Sequence, residues 1–134
     1  MAGFDRRTGR LIGAWPHTQQ AIATLLTTAI GDRQMRGWVG SLCPPLLGEH
    51  LSPETITRFV YFASLAIALH EPRFVVRDAD IARIDRAHEG EVDLILDGDF
   101  RPGALRGDYR VVGPRRSALT YGGGVFVAAA GADA

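Results

Sequence analysis

The segment from Leu51 to Val76 constrains the fold most, because it carries the longest apolar run of the chain. We predict a helix from Pro53 to His70, with Ser52 as a favourable N-cap and the proline in the first turn, where its missing N–H costs nothing. Between Phe59 and Leu69 only Ser64 is polar, so no face is clearly assigned to water. Protein must therefore cover most sides of this helix, which is too short to span a bilayer.

The chain leaves this helix at Glu71-Pro72-Arg73. Pro72 has no N–H to continue the helix and biases the preceding residue toward an extended conformation, and Phe74-Val75-Val76 favours a strand. We therefore predict a helix-to-strand corner with opposite charges on the two sides of a rigid proline. Those charges either form a weak, solvated ion pair or reach neighbouring groups, and the residue pattern leaves both open.

Composition limits the function classes. At 134 residues with 46% hydrophobic and 22% charged content, the chain suits one globular domain. The formal net charge is zero, which argues against a general binder of nucleic acid or of anionic membranes. All 15 basic residues are arginine, so a Walker A phosphate loop and a Schiff-base lysine are excluded. The single cysteine precludes an internal disulfide, and the first residues lack the apolar core of a secretion signal.

The first half of the chain predicts an arm, a helix and an irregular loop. Asp5 to Gly13 is polar and typical of an extended arm or a short edge strand. An apolar stripe at helical spacing predicts an amphipathic helix from about Pro16 to Thr28. From Ile30 to Gly48, glycine and proline alternate with apolar residues, which indicates an ordered, irregular connection. Arg33 and Arg36 either brace this loop or face a partner.

The second half predicts a small sheet. The apolar residues from Arg73 to Ala87 change parity near Asp78 to Asp80, which indicates a strand with a bulge or break there. Val92 to Asp97 alternates apolar and mainly acidic residues, as a half-buried strand does, and an antiparallel hairpin is the economical pairing. Asp108 to Val112 is a further candidate strand.

Beyond Gly113 the glycine- and alanine-rich sequence is expected to be mobile. The predicted domain therefore spans residues 1–112, and residues 113–134 form a tail. The predicted fold class is α+β, with two main helices packed on a small antiparallel β-sheet.

Catalytic and metal-binding patterns are weak. The histidines are far apart in sequence: His17, His50, His70 and His88. None has a second ligand at helical spacing, so no metal site and no cofactor are predicted. Cys43 matches no nucleophile signature, and a buried structural thiol is the expected role. Three carboxylates are candidates for the acid and the nucleophile of a glycosidase, although nothing forces two of them together: Glu49, Glu54 and Glu71.

Several short motifs occur in a defined order: Asp5-Arg6-Arg7-Thr8-Gly9-Arg10, Leu26 to Arg33, Met35-Arg36, Gly40-Ser41, and Glu71-Pro72-Arg73 after the apolar helix. In this order and spacing they resemble the phage baseplate assembly protein W family. That family includes the small wedge subunit of contractile phage tails, often labelled lysozyme-like, and relatives in type VI secretion baseplates. The resemblance runs from about Asp5 to about Phe100, and Trp38 stands where an aromatic, usually tyrosine, is common.

The resemblance implies a structural role without enzyme activity, in a virion tail baseplate that assembles in the host cytoplasm. The implied partners are other baseplate wedge proteins and the tail sheath protein, with tube or hub proteins as further candidates, and neither nucleic acid nor membrane. Sheath arms are expected to add strands to the sheet, so that the protein seeds sheath assembly. Glu71, Pro72 and Arg73 match the contact motif for neighbouring wedge subunits, and four residues match motif positions in an interface or in loop bracing: Arg33, Arg36, Gly40 and Ser41.

Two alternatives stay open. One is a peptidoglycan-cleaving glycosidase that uses Glu71 or Glu54, and the other is the same structural role in a type VI or other contractile injection machine. For the structural role, the strand from Val92 to Leu96 carries Asp93 and Asp97 on one face. We predict that it is a sheet edge, kept soluble by its acids, that accepts one strand from a partner.

Overall fold

The computed structural model describes residues 3–41, 53–85, 91–122 and 125–128. Its elements in chain order are β1 (Gly3–Phe4), β2 (Leu11–Ile12), α1 (Ala14–Thr27), α2 (Pro53–His70), β3 (Phe74–Asp85), β4 (Glu91–Phe100), a 3-10 helix (Ala104–Arg106), β5 (Gly113–Gly122) and β6 (Val125–Ala128). The two helices pack against an antiparallel sheet formed by β3 to β6, so the predicted α+β class is confirmed. β1 and β2 form a separate short hairpin, in which β2 belongs to the predicted arm and β1 directly precedes it.

Helix α1 begins two residues before the predicted start, directly after Gly13, and ends at Thr27. Its apolar stripe is buried, as the amphipathic pattern predicts, with Ile22 and Leu26 fully enclosed. Trp15 lies at the start of this stripe and contacts the rings of Phe74 and Phe100 in the sheet. The helix is therefore anchored to the sheet at its first turn.

Helix α2 has the predicted bounds, while its proposed N-cap, Ser52, lies outside the described residues. One face carries the buried Phe59, Ala63 and Ile67. The prediction that no face meets water is wrong, because Tyr61, Leu65 and Leu69 are 62%, 41% and 68% exposed. Apolar content alone does not distinguish a covered helix from one with an exposed apolar stripe. Neither described helix is long and apolar enough to span a bilayer.

The sheet has the strand order β3-β4-β5-β6, with antiparallel neighbours throughout. The predicted hairpin is confirmed as β3 and β4, and Val92, Leu94 and Leu96 point into the core. The pairing shifts register between Val76 and Asp78 and again between Ile81 and Arg83. These irregularities flank the predicted bulge, and between them Ala79 and Ile81 pack against the core.

The prediction of a mobile chain beyond Gly113 is wrong for residues 113–122 and 125–128, and the rest of the predicted tail lies outside the described residues. β5 pairs with β4 along its length, and β6 adds a fourth strand whose Phe126 is buried against Phe59. Asp108 to Val112 is not a strand but a connection into β5, held where the Val112 N–H donates to the Phe100 carbonyl at 2.9 Å. Composition misleads here because pairing with a neighbouring strand, and not local propensity, decides whether such a segment is ordered.

The same error misplaces the sheet edge. Because β5 covers the second side of β4, the strand from Val92 to Leu96 is interior and cannot accept another strand. Among the described strands, β3 is the long one that pairs on one side only.

Candidate subunit interface

The corner after α2 contains a buried ion pair. The Arg73 guanidinium donates from Nε to Glu71 Oε1 at 2.7 Å and from Nη2 to Glu71 Oε2 at 3.0 Å. The exposed fractions of Glu71 and Arg73 are only 6% and 4%. Of the two possibilities that the residue pattern leaves open, the weak, solvated pair is therefore wrong, and the two charges satisfy each other within one chain.

Two distant residues hold this pair in place. The third donor group of Arg73, Nη1, lies 3.0 Å from His17 Nδ1. A guanidinium only donates, so a hydrogen bond here uses this histidine nitrogen as the acceptor. From the end of β4, the Arg101 N–H donates to the Arg73 carbonyl at 2.7 Å, and its Nη2 donates to the Pro72 carbonyl at 3.3 Å. The corner is thus tied to α1 and to the sheet.

A groove of about 380 Å³ opens beside this corner. One wall is the exposed face of α2, and the other is the start of β3, with the residues Tyr61, Ser64, Leu65, Ala68, Glu71, Pro72, Phe74, Val75, Val76 and Arg101 as its lining. We call it the corner groove. Two charged residues line it, Glu71 and Arg101, and the first of these is already paired with Arg73. Arg101 Nε is buried and has no acceptor among the described residues.

The connection from β4 to β5 borders this groove through Arg101. The Tyr109 ring lies under the Arg101 guanidinium, with 5.3 Å between the guanidinium carbon and the ring centroid. Next to it, hydrogen bonds from the Arg110 side chain and backbone hold the pKa of the Asp108 carboxyl below its ordinary value. The connection therefore places the Tyr109 ring against the groove residue Arg101, and it pairs Arg110 with Asp108 at 2.9 Å.

The loop after α1 is closed at its base by Gly40 and Ser41. Ser41 donates from its N–H to the Thr28 carbonyl at 2.9 Å and from Oγ to the Leu26 carbonyl at 3.1 Å. Gly40 has a φ of +146°, and a Cβ there would lie 2.7 Å from the Thr28 carbonyl oxygen. Both residues therefore brace the loop, which was one of the two roles predicted for them.

Arg33 and Arg36 lie in the exposed part of the same loop. Trp38 is also exposed there, and Met35 between the two arginines is 95% exposed. The structure thus separates the four motif residues into a bracing pair and an exposed pair. Neither pair lines the corner groove.

Two of the three carboxylates proposed for glycoside cleavage, Glu54 and Glu71, do not meet. Glu54 and Glu71 lie at opposite ends of α2, about 25 Å apart at roughly 1.5 Å per residue, whereas glycosidases hold their two carboxyl groups about 5 to 10 Å apart. Glu54 pairs with Arg58 at 2.6 Å on the surface. Glu49, Cys43, His50 and His88 lie outside the described residues. Within the described segments, no group of three or more His, Cys, Asp or Glu side chains is placed to hold a metal ion.

Comparisons with known proteins identify two that are similar to this chain in sequence or in structure. Baseplate protein W of Escherichia phage P2 is 26% identical over 96 residues, which are 72% of this chain and 81% of that protein. A chain in the cryo-EM structure of the postcontracted baseplate of pyocin R2 is 27% identical and has a TM-score of 0.61, with 75% of this chain and 99% of that chain covered. The resemblance to baseplate protein W is thereby confirmed.

A third comparison shows a similarity of fold only. The crystal structure of a candidate tail lysozyme from Geobacter sulfurreducens, at 1.44 Å resolution, has a TM-score of 0.62 at 21% identity, with 84% of this chain and 91% of that chain covered. No family model matches this chain.

Several residues in and around the corner groove were not identified from the sequence. Tyr61 and Leu65 line the groove, and with the exposed Leu69 they recur every four residues, which marks a second apolar stripe on α2 beside the core stripe. His17 and Arg101 gave no such signal, because their contacts to Arg73 join segments far apart in sequence.

Proposed function

We propose that this chain is a non-enzymatic structural subunit of the baseplate of a contractile tail, where it contacts neighbouring wedge proteins and the sheath. The observation that carries the proposal is the match to almost the full length of a chain in the pyocin R2 baseplate. The similarity to baseplate protein W of phage P2 supports the same general role. Assembly in the host cytoplasm, before the tail joins the rest of the particle, is part of this proposal.

The corner groove is the surface we propose for a neighbouring wedge subunit. Its α2 wall carries large apolar side chains that water would otherwise cover, and its base is formed at Pro72. Glu71 and Arg73 are buried and satisfied by each other, so they act by fixing the proline and the walls rather than by contact. In this proposal the motif is a positioning device, and the exposed stripe of α2 makes the contact.

Arg101 indicates the chemistry of the segment that fits the groove. Arg101 lines the groove and has no ion pair with a carboxylate among the described residues, so this cation favours a partner that supplies a carboxylate. A mainly apolar segment with one carboxylate would satisfy both the exposed stripe and this cation.

The free side of β3 is the place we propose for a sheath strand. The strand is 12 residues long, and its exposed Arg77, Asp78 and Asp80 together with two register shifts protect it from pairing with other copies. Protection of this kind still permits one matching strand to add through backbone hydrogen bonds. Because β4 is interior, strand addition has to use β3 if it uses this hairpin at all.

Complementation of a strain that lacks the gene tests the wedge contact. Leu65→Asp should leave the isolated protein folded but reduce assembled particles at least tenfold, whereas Leu11→Asp should not, since Leu11 is an exposed residue of the separate β1–β2 hairpin. Particles are counted by electron microscopy after purification. Normal particle numbers with Leu65→Asp would remove the corner groove from the proposal.

Hydrogen exchange with purified sheath protein tests the strand contact. Amides of β3 on its free side should exchange quickly in the isolated chain and slowly in the complex, while amides of the interior β4 should be protected in both. Unchanged β3 exchange in a demonstrated complex would show that the sheath binds elsewhere.

The glycosidase alternative is tested by turbidity loss of purified peptidoglycan with the wild-type chain and with Glu71→Gln and Glu54→Gln. We expect no turbidity loss with any of them, and cleavage that depends on either carboxylate would contradict the proposal. The genes beside this one distinguish a phage or pyocin tail from a type VI or other injection machine.

A further inference from the structure

The loop after α1 presents a rigid, exposed tip. Backbone hydrogen bonds cross it from Gly31 N–H to the Gly37 carbonyl at 2.8 Å and from Val39 N–H to the Arg36 carbonyl at 3.0 Å. Its base is closed by Ser41, as described above. We define the tip as residues Arg33 to Trp38. Its shape is thus set before any partner arrives, which lowers the entropy that binding must remove.

Met35 occupies the tip in an unfavourable conformation. Its φ is +62°, the left-handed region, and it is the one residue other than glycine with a positive φ among those the structure describes. The side chain is 95% exposed, so its contacts with the described residues do little to offset this strain. Strain that the fold itself does not reward is typical of residues retained for contact with something else.

The side chains of the tip have the composition of a binding surface. Arginine, methionine and tryptophan are enriched at protein interfaces, and here Arg33, Met35, Arg36 and Trp38 are all exposed. No ion pair of Arg33 or Arg36 occurs among the described residues. The nearby Asp32 carboxylate is turned back to the loop base, where it accepts the Ala29 N–H at 3.3 Å. The tip therefore carries two cations around an apolar centre.

We infer that this tip docks onto an acidic surface of another protein subunit, with Met35 in an apolar pocket and Arg33 and Arg36 paired with carboxylates around it. The inference rests on the proposed function, because the partner is a subunit of the same assembly, and it adds a second contact separate from the corner groove. Two arginines around an apolar side chain suit a protein pocket, whereas a nucleic-acid site needs a longer basic track, and the net charge of this chain is zero.

Met35→Gly separates the contact from the fold. Glycine adopts a positive φ without strain, so the melting temperature should stay at or above that of the wild type, while the side chain that binds is lost. Purified chains are added to particles assembled in a strain that lacks the gene, and the bound fraction is measured by quantitative immunoblot. We expect the bound fraction of Met35→Gly to fall at least tenfold.

Charge variants test the acidic character of the partner. The double variant Arg33→Glu with Arg36→Glu should bind less than Arg33→Gln with Arg36→Gln, and the wild-type bound fraction should fall as salt is raised. Arg10→Glu is the matched control, since Arg10 is an exposed arginine in the turn between β1 and β2. It should bind like the wild type.

Three outcomes overturn the inference. Binding of Met35→Gly and of the double glutamate variant at the wild-type level would show that the tip makes no contact. Binding of a 20-base-pair DNA duplex by the wild type, lost in the double glutamate variant, would assign the tip to nucleic acid instead. Complete particles that form without the wild-type chain and never take it up would overturn the proposed function, and this inference with it.

Discussion

Glu71 and Arg73 form a two-point ion pair beneath the surface, two residues apart across a proline. Each is also the main partner of the other, so removal of either leaves a buried charge without compensation. The pair therefore belongs to the fold of the monomer before it belongs to any interface.

The first prediction follows from this burial. Glu71→Ala or Arg73→Ala should lower the free energy of unfolding by about 3 to 5 kcal/mol, the usual cost of breaking a buried pair from one side. The double variant should cost less than the sum, because neither charge is then left alone. Urea denaturation of the wild type, the two single variants and the double variant measures the four free energies of unfolding of this double-mutant cycle. Single-variant losses below about 1 kcal/mol would place the pair with ordinary surface ion pairs.

The second prediction separates the two faces of α2. Ile67→Asp should lower the free energy of unfolding by about 4 kcal/mol or more, because a charge replaces a fully buried side chain. Leu65→Asp, two residues earlier on the exposed stripe, should change it by less than about 1 kcal/mol. Thermal melting followed by circular dichroism compares them. Equal losses would mean that the stripe is covered within the isolated chain.

The third prediction concerns the close approach of β3 and β4 at Gly98. A Cβ on Gly98 would lie 2.1 Å from the Val75 carbonyl oxygen, which is backbone and cannot move aside. Gly98→Ala should therefore lower the melting temperature, with a loss of about 3 kcal/mol in the free energy of unfolding. Gly37→Ala is the control, since the nearest atom to its added Cβ is 3.9 Å away. A wild-type melting curve for Gly98→Ala would show that the strands lie farther apart.

The fourth prediction concerns the end of the domain. A chain that stops after Val112 loses β5 and β6, and with them the buried Leu119 and Phe126. It should show no cooperative melting transition, whereas the full-length protein should melt cooperatively. Cooperative melting of the shorter chain would restore residues 1–112 as a complete domain.

The helices and the β3–β4 hairpin could be predicted because their signals are local. Pro53 and Pro72 mark the helix ends, and alternation from Val92 to Asp97 marks a strand. β5 and β6 could not, because glycine- and alanine-rich segments become strands only when a partner strand is present. The missed β5 then made β4 look like an edge. Burial of the Glu71–Arg73 pair was equally hidden, since it depends on His17, 56 residues earlier.

The last strand of the sheet also carries a kinetic consequence. The Phe126 N–H donates to Thr27 Oγ1, and these residues are 99 positions apart. At about 5 to 20 residues per second, a ribosome synthesises Phe126 roughly 5 to 20 s after Thr27. During that time α1 lacks β6, the strand that packs against it. Contacts between segments so far apart in sequence, such as α1 and β6, also form slowly. The N-terminal helix is therefore the segment that a nascent-chain chaperone has the most time to bind.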